Sequence, residues 1–339
     1  MSATSPTPSP SPVLFFETVN AHQRTAALKA AIQLDLFTAI AEGKQTAEEA
    51  AARCQASDRG IRILSDYLVI IGFLNKNANR YSLTRDSAVF LDRRSPAYIG
   101  GTLRFLLAPE VAETFRELAE AVRKGGTVQA QHGLIPEHPM WVDFARAMAP
   151  LMAMPAEALA TFLKAGEGAK WKVLSLAVGH GLYDITLARH NKNAEIWAVD
   201  WPNVLEVAHE NAAKAGVTER YHTIPGSALD VEYGSDYDLA LITNFLHHFD
   251  PAACEKLLRK VQAALKPGGR VVILDFVPNE DRVSPPIPAG FSLIMLVMTP
   301  AGDAYTFSEY QQMLAKAGFR SSENHPLPPS FFNVVIGTK

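Results

Sequence analysis

Only two cysteines, Cys54 and Cys254, occur in 339 residues, and they lie far apart. That excludes a disulfide framework and a cysteine-built metal site, and it fits a reduced, cytoplasmic setting. The histidines lack H-x-x-x-H and His/carboxylate spacing, so no metal is expected. Long apolar runs are missing too: none approaches the roughly 20 residues that a membrane span requires, so no membrane partner is expected. There is no basic excess. Against 35 Asp and Glu stand 32 Lys and Arg, a net charge of -3, which argues against a dedicated nucleic-acid binder. Ser2 to Pro12 lacks the basic n-region of a signal peptide, and 1–12 reads as a disordered Ser/Thr/Pro tail. Apolar residues are plentiful at 48%, enough for the large cores of two domains.

The most informative stretch is Val173 to Ile185. A short apolar run breaks at Gly179 and Gly181, then resumes as Leu182, Ile185, Leu187 and Ala188 at helical spacing. A second run, Ala194 to Val199, ends in Asp200. Such a strand–turn–helix–strand unit lets a ligand approach glycine backbone at the carboxyl edge of a parallel sheet. An acid after the second strand accepts hydrogen bonds from both hydroxyls of a ribose. With two glycines and not the full G-x-G-x-x-G, the stretch reads equally as a nucleoside-cofactor turn or an ordinary βα turn.

Before it, Val13 to about Ile40 is helical in pattern, and Thr46-Ala-Glu-Glu49 resembles a capping box. Ser57 or Asp58 caps the next helix, which runs to Gly72, and strands around Asn75–Asn79 make a hairpin. Helix, turn, helix, hairpin is a winged-helix layout. Residues 1–100 hold eleven Lys and Arg against nine Asp and Glu, with no basic cluster on the second helix, which favours dimer packing over DNA binding. Ser95 to Gly126 continues helical, Thr127 to Pro139 is loop-like, and Met140 begins another helix. The polar hinge 166–170 marks the domain boundary. After Asp200, helices alternate with strands at 221–224, 237–243, 270–276 and 333–338, which implies a largely parallel sheet covered on both faces.

Several motifs resemble those of the two-domain S-adenosylmethionine-dependent O-methyltransferases, the plant phenolic, hydroxyindole and bacterial antibiotic type. They are Trp141-x-x-Phe144-x-x-Ala147-Met148, the glycine stretch Val173–Gly181, Asp200-Trp-Pro-x-Val204, Leu246-His-His-Phe-Asp250, Leu265-Lys-Pro-Gly-Gly269 and Thr306-Phe-x-Glu309-Tyr, in the family's order. The resemblance implies a Rossmann-like α/β methyltransferase domain over 169–339, with a seven-stranded sheet and a reversed last hairpin. It further implies a winged-helix-like dimerisation domain over 13–100, joined by connecting helices over 101–168. The expected assembly is a homodimer. The sequence departs from the family pattern where the glycine motif has Ser175, Ala177 and Val178. Ser227 stands for the acid that reads the adenine, His248 for the Asp after the base, and Ala304 for a bracing glutamate.

The resemblance implies S-adenosylmethionine as cofactor and His247 as general base. In-line methyl transfer needs alignment and loss of the acceptor's proton. An imidazole, with a free pKa of roughly 6.5, is mostly neutral near pH 7 and suits that task. Asp275 is either its orienting carboxylate or a solvated strand end. Cofactor candidates are Ser175, Gly179, Gly181, Asp200, Trp201, Ser227, Ala228 and Asn244. Met148, Met152, Phe291, Met295 and Met298 form the expected acceptor pocket, whose apolar character favours an aromatic or polyketide-like small molecule. The apolar Phe291–Met298 stretch is expected to be buried, in part at a dimer contact. The alternatives are a cofactor-binding relative with altered chemistry (C-, N- or carboxyl methylation, or no methylation) and a winged-helix regulator.

Overall fold

The computed structural model describes residues 9–129, 135 and 137–339. Residues 1–8 of the expected tail, and 130–134 and 136 of the expected Thr127–Pro139 loop, lie outside that set. By its internal contacts the chain divides after Leu103 into two units.

The first unit begins with α1 (Val13–Val19), α2 (Ala21–Gln33) and α3 (Leu36–Ala41). The single helical pattern read from Val13 to Ile40 is therefore interrupted twice. The second break is at Asp35, which takes the left-handed conformation at φ 61 and so ends regular helix. Helix α4 (Ala47–Cys54) opens on the expected capping box: Glu49 N–H donates to the Thr46 hydroxyl, and Thr46 N–H to the Glu49 carboxylate. Ser57 caps α5 (Asp58–Ile70), and the hairpin of β1 (Leu74–Asn77) and β2 (Arg80–Leu83) precedes α6 (Arg85–Phe90). Leu36, Phe37, Ile40, Ile61, Leu68, Leu74 and Tyr81 form the core. Helix α1 contributes nothing to it: Val13, Leu14, Phe15, Phe16 and Val19 are each more than half exposed.

The continuous helix expected over Ser95–Gly126 is instead α7 (Leu103–Leu106), α8 (Pro109–Arg116) and α9 (Leu118–Lys124). Pro109 forces the preceding Ala108 into extended backbone, ψ 144, and so separates the first two. Helix α10 (Met140–Phe162) follows. The sheet takes β3 (Trp171–Leu176), β4 (Ala194–Asp200), β5 (Tyr221–Pro225), β6 (Tyr237–Thr243), β7 (Leu265–Asp275), β8 (Ser321–Pro326) and β9 (Asn333–Thr338). Its order is β5-β4-β3-β6-β7-β9-β8, parallel through β7, with β9 antiparallel to both its neighbours.

Successive strand residues face opposite sides, and the helices divide accordingly. Val173, Ile196, Leu239, Leu241 and Val272 pack toward α10, α11 (Leu182–His190) and α12 (Pro202–Lys214). Leu174, Leu176, Ala240, Ile242 and Ile273 pack toward α13 (Pro251–Ala264) and α15 (Phe307–Lys316). Helix α14 (Pro286–Met298) carries the stretch 291–298 that was expected to be buried, in part at a dimer contact; in the single chain Met295 and Val297 are covered and Leu293 is exposed. Among the described residues no helix is long and apolar enough to cross a membrane.

The turn from β3 to α11 is left-handed at Ala177, φ 52, at Gly179, φ 56, and at Gly181, φ 72. An alanine in that region is strained by about 1–2 kcal/mol, more than glycine's extra unfolded-state entropy of about 0.5–1 kcal/mol. Ala177→Gly therefore raises the urea midpoint slightly. Gly181→Ala lowers it clearly, because an added Cβ meets the Tyr221 hydroxyl at 2.9 Å, Ile185 Cδ1 at 3.0 Å and Ala208 Cβ at 3.1 Å. A lowered midpoint in Ala177→Gly contradicts this account.

Candidate active site

Strands β3, β4 and β5 step outward along one half of the sheet, and the chain then returns to β6 on the other side of β3. Ligands of open α/β sheets bind at such a reversal, outside the carboxyl ends of the strands. Gly179 stands there with open space where a Cβ would be. Its N–H donates to Asp200 Oδ2 at 2.8 Å, and the Trp201 N–H donates to Oδ1 at 2.7 Å. Each Asp200 oxygen keeps a lone pair for a further donor. Burial pushes the Asp200 carboxyl up to about 6, against the pull of those two N–H groups.

The other glycine has a different task. Gly181 faces the core, so packing rather than ligand approach requires it. Beneath it, the buried Asp184 carboxylate accepts from the Tyr221 hydroxyl at 2.8 Å, and burial raises it to about 7. Buried His180 is pushed down to about 4 and accepts from Leu182 N–H through Nδ1. Ser175 is buried in β3. Ser227 and Ala228 follow β5. The Ser227 hydroxyl accepts from Leu229 N–H, and the Ala228 carbonyl from the Tyr233 hydroxyl.

At the end of β6, Asn244 is left-handed at φ 52, and its N–H is held by the Leu274 carbonyl at 2.8 Å. A 3₁₀ turn then carries Leu246 to His248. His247 is 3% exposed and Asp275, at the end of β7, is 0% exposed. Their separation is 2.6 Å from Nδ1 to Oδ1. A carboxylate only accepts, so Nδ1 carries the proton and Nε2 is left as the basic nitrogen. Among the described residues nothing hydrogen-bonds to that Nε2. Asp275 also accepts from Phe276 N–H at 2.8 Å and from the Tyr310 hydroxyl at 2.9 Å, so it is an embedded acceptor and not a solvated strand end. His248 Nδ1 is engaged by the Phe245 carbonyl, and burial beside His247 holds its pKa well below the usual imidazole range.

Phe291 meets His247 edge-on at 4.8 Å and stacks on Phe276 at 3.7 Å, and Phe331 extends the stack at 5.4 Å. Of the expected pocket, Phe291 is thus brought to the imidazole. Met148 and Met152 lie in the core on the α11 side, and the Met152 sulfur accepts from the Tyr183 hydroxyl at 3.2 Å. Met295 is buried in α14 and Met298 is half-buried. Sequence reasoning missed Phe276, Phe331, Tyr183 and the packing of Gly302, where a Cβ would strike the His247 carbonyl. Only Gly302 left any signal: a small residue in a turn.

The sheet order, the glycine turn with an acid at the neighbouring strand end, and the buried His–Asp pair define a Rossmann-like transferase domain that holds a nucleoside cofactor. The donor set fits that group: an open glycine, an acid with free lone pairs, and a buried amide oxygen of Asn244 with no partner. Residues 171–320 match the model of an O-methyltransferase domain, and residues 16–93 that of an O-methyltransferase dimerisation domain. A crystal structure from Nostoc punctiforme PCC 73102, provisionally assigned as an O-methyltransferase, is 54% identical, covers 98% of this chain and 100% of its own, and superposes with a TM-score of 0.92. The 3-hydroxy-5-methyl-1-naphthoate 3-O-methyltransferase of Streptomyces sahachiroi is 29% identical, over 91% of this chain and 89% of its own. Human N-acetylserotonin methyltransferase, solved with S-adenosylmethionine, shares the fold at 22% identity, with a TM-score of 0.82 over 98% of this chain and 99% of that one. The chain belongs to this O-methyltransferase family.

The two raised carboxyls give a pH signature. A carboxyl with a higher pKa folded than unfolded binds its proton better in the native state, so its contribution to stability is full below the unfolded pKa and is lost as pH rises through the folded pKa. Asp184 and Asp200 therefore make the protein less stable as pH climbs from about 4 through about 7. Asp184→Asn flattens that dependence in urea titrations at pH 5 and 7.5. An unchanged slope contradicts the burial of this charge.

Proposed function

We propose that the protein transfers a methyl group from S-adenosylmethionine to a hydroxyl of an aromatic or polyketide-like small molecule, with His247 as general base and Asp275 orienting it. When bound, the cofactor supplies an electrophilic methyl whose leaving group is a neutral thioether. The rest falls to this chain. The open backbone at Gly179 admits the ligand, and the spare lone pairs of Asp200 accept its sugar hydroxyls. Trp201, Ser227 and Ala228 border the base. His247 Nε2 takes the acceptor's proton, and Asp275 stabilises the imidazolium that forms, as a carboxylate orienting a base does. The stacked rings of Phe276, Phe291 and Phe331 beside His247 favour a planar acceptor over a sugar. The naphthoate acted on by the Streptomyces sahachiroi relative is of that kind.

The observation that carries this reading is the 2.6 Å His247–Asp275 bond, which leaves Nε2 basic at the sheet's reversal. Labelled S-adenosylmethionine with a panel of naphthols and polyketide phenols tests it. His247→Gln lowers turnover by about 10²–10⁴-fold. Asp275→Asn lowers kcat by about tenfold or more with little change in KM, since it touches neither substrate. Full turnover in His247→Gln rejects the base. A product methylated on carbon or nitrogen moves the protein to altered chemistry.

The assembly we assign is a homodimer. The dimerisation-domain match and the uncovered apolar face of α1 support it. Light scattering after size exclusion reads a dimer for the wild type and a monomer for the double variant Phe15→Glu, Phe16→Glu. A dimer in both removes α1 from the interface.

A further inference from the structure

The carboxylate that orients His247 has a second oxygen, and a buried side chain is aimed at it. Asp275 Oδ1 meets His247 Nδ1 and the Phe276 N–H, while Oδ2 accepts from the Tyr310 hydroxyl at 2.9 Å. Tyr310 is 0% exposed, with its ring edge-on to Tyr305 at 5.9 Å. Burial and the Asp275 charge push its phenol well above the usual range, so the hydroxyl keeps its proton and donates it. At the place of the family's bracing glutamate stands Ala304, buried and with no polar side-chain atom.

The start of α15 fixes the direction of that hydroxyl. Thr306 and Glu309 form a capping box, with Thr306 N–H on Glu309 Oε2 at 2.8 Å. The loop after β7 is tied to the same turn. Ser308 N–H donates to Glu280 Oε1 at 3.1 Å, and Arg282 pairs with both Glu309 and Asp303. Tyr310 follows directly, so cap, loop and hydroxyl are held together against the end of β7.

We propose that Tyr310 is a positioning residue for the base: its hydroxyl fixes the Asp275 carboxylate and sets how strongly that carboxylate holds the His247 imidazolium, a role that rests on His247 being the base. When Nε2 takes the acceptor's proton, the ring becomes a cation against Asp275. A donor on Oδ2 draws part of the carboxylate's charge away from that cation. His247 then stays neutral, and able to accept a proton, to lower pH.

The other ionisable groups around the pair are held neutral. Burial pushes up Cys254 from α13, Tyr183 from α11 and Tyr305, and pushes His248 down. Asp250 caps α13 at the exposed surface. Asp184 and Asp200 titrate at about 7 and about 6, but their hydrogen bonds go to Tyr221 and to the Gly179 and Trp201 N–H groups.

NMR titration of the histidine-labelled, full-length protein reads the coupling without any acceptor, with the His247 signal assigned by its loss in His247→Gln. In Tyr310→Phe the His247 midpoint rises by roughly half to one pH unit, the equivalent of one ordinary hydrogen bond. In Tyr310→3-fluorotyrosine, a more acidic phenol of nearly the same size, the midpoint falls. A tyrosine that only filled the core would change the urea midpoint and leave this titration in place. With a naphthol acceptor at pH 7, Tyr310→Phe lowers kcat by about 2- to 10-fold and leaves KM unchanged. A His247 midpoint equal in all three proteins, or moved the same way in both variants, overturns the assignment, as does an unchanged kcat in Tyr310→Phe. Should Tyr310→Phe fail to fold, the fluorinated variant decides alone, and an unmoved midpoint there overturns it. Full turnover in His247→Gln overturns the base reading instead, and leaves the titration shifts standing.

Discussion

A carboxylate with no exposed surface ties the carboxyl end of the sheet together. Asp275 accepts from the His247 ring, from Phe276 N–H and from the Tyr310 hydroxyl. Those donors belong to the turn after β6, the residue after β7 and helix α15, so one ion fixes three segments. Burying a charge is tolerated only when its lone pairs are met, and three donors meet them. The same geometry sets the histidine tautomer. A donor in place of the carboxylate would leave the wrong ring nitrogen basic. Burial and hydrogen bonding to Asp275 hold the Tyr310 phenol far above its usual range, which keeps it a neutral donor. Gly302 adds a steric condition, because the backbone against His247 leaves no room for a side chain.

This pair matters because of where the sheet reverses. Strand β3 lies between β4 and β6, so its glycine turn is flanked on one side by Asp200 and on the other by Asn244 and His247. No single segment builds the site. The sheet brings together residues from about a hundred positions of chain because parallel strands all present their carboxyl ends to one edge. Helices cover both faces of the sheet behind that edge. Alternate strand residues feed two separate cores, one under α10–α12 and one under α13 and α15.

What the sequence revealed follows from this construction. Strands β3, β4 and β6 are apolar on both faces and were readable as runs, and β9 lies where Asn333–Thr338 was expected. Strand β8, Ser-Ser-Glu-Asn-His-Pro, is a polar edge strand with no alternation, so only family resemblance implied the reversed hairpin. Strand β7 begins at Leu265, ahead of the expected Arg270, because Leu265 pairs with Tyr237 across a register shift. Helix was over-read between Ser95 and Gly126, where apolar spacing outweighed Gly100, Gly101 and Pro109. Asp200 and His247 were legible because each ends or follows a strand within a motif. Tyr310 was visible as a motif residue, but its bond to Asp275 spans 35 positions and has no local signature. Gly181 was misjudged for a related reason: its open side in sequence terms is occupied by Tyr221 from a distant strand.

The altered glycine motif can be weighed on charge. Ser175 replaces one acid of the family pattern and Ser227 another, so Asp184 and Asp200 are the carboxyls nearest the turn. Burial holds them up to about 7 and about 6, which leaves the empty edge less negative near neutrality than two free carboxylates would. A cation beside Asp200 favours its ionised form and opposes that burial effect. Cation and carboxylate charge thus arise together, and neither is left buried alone.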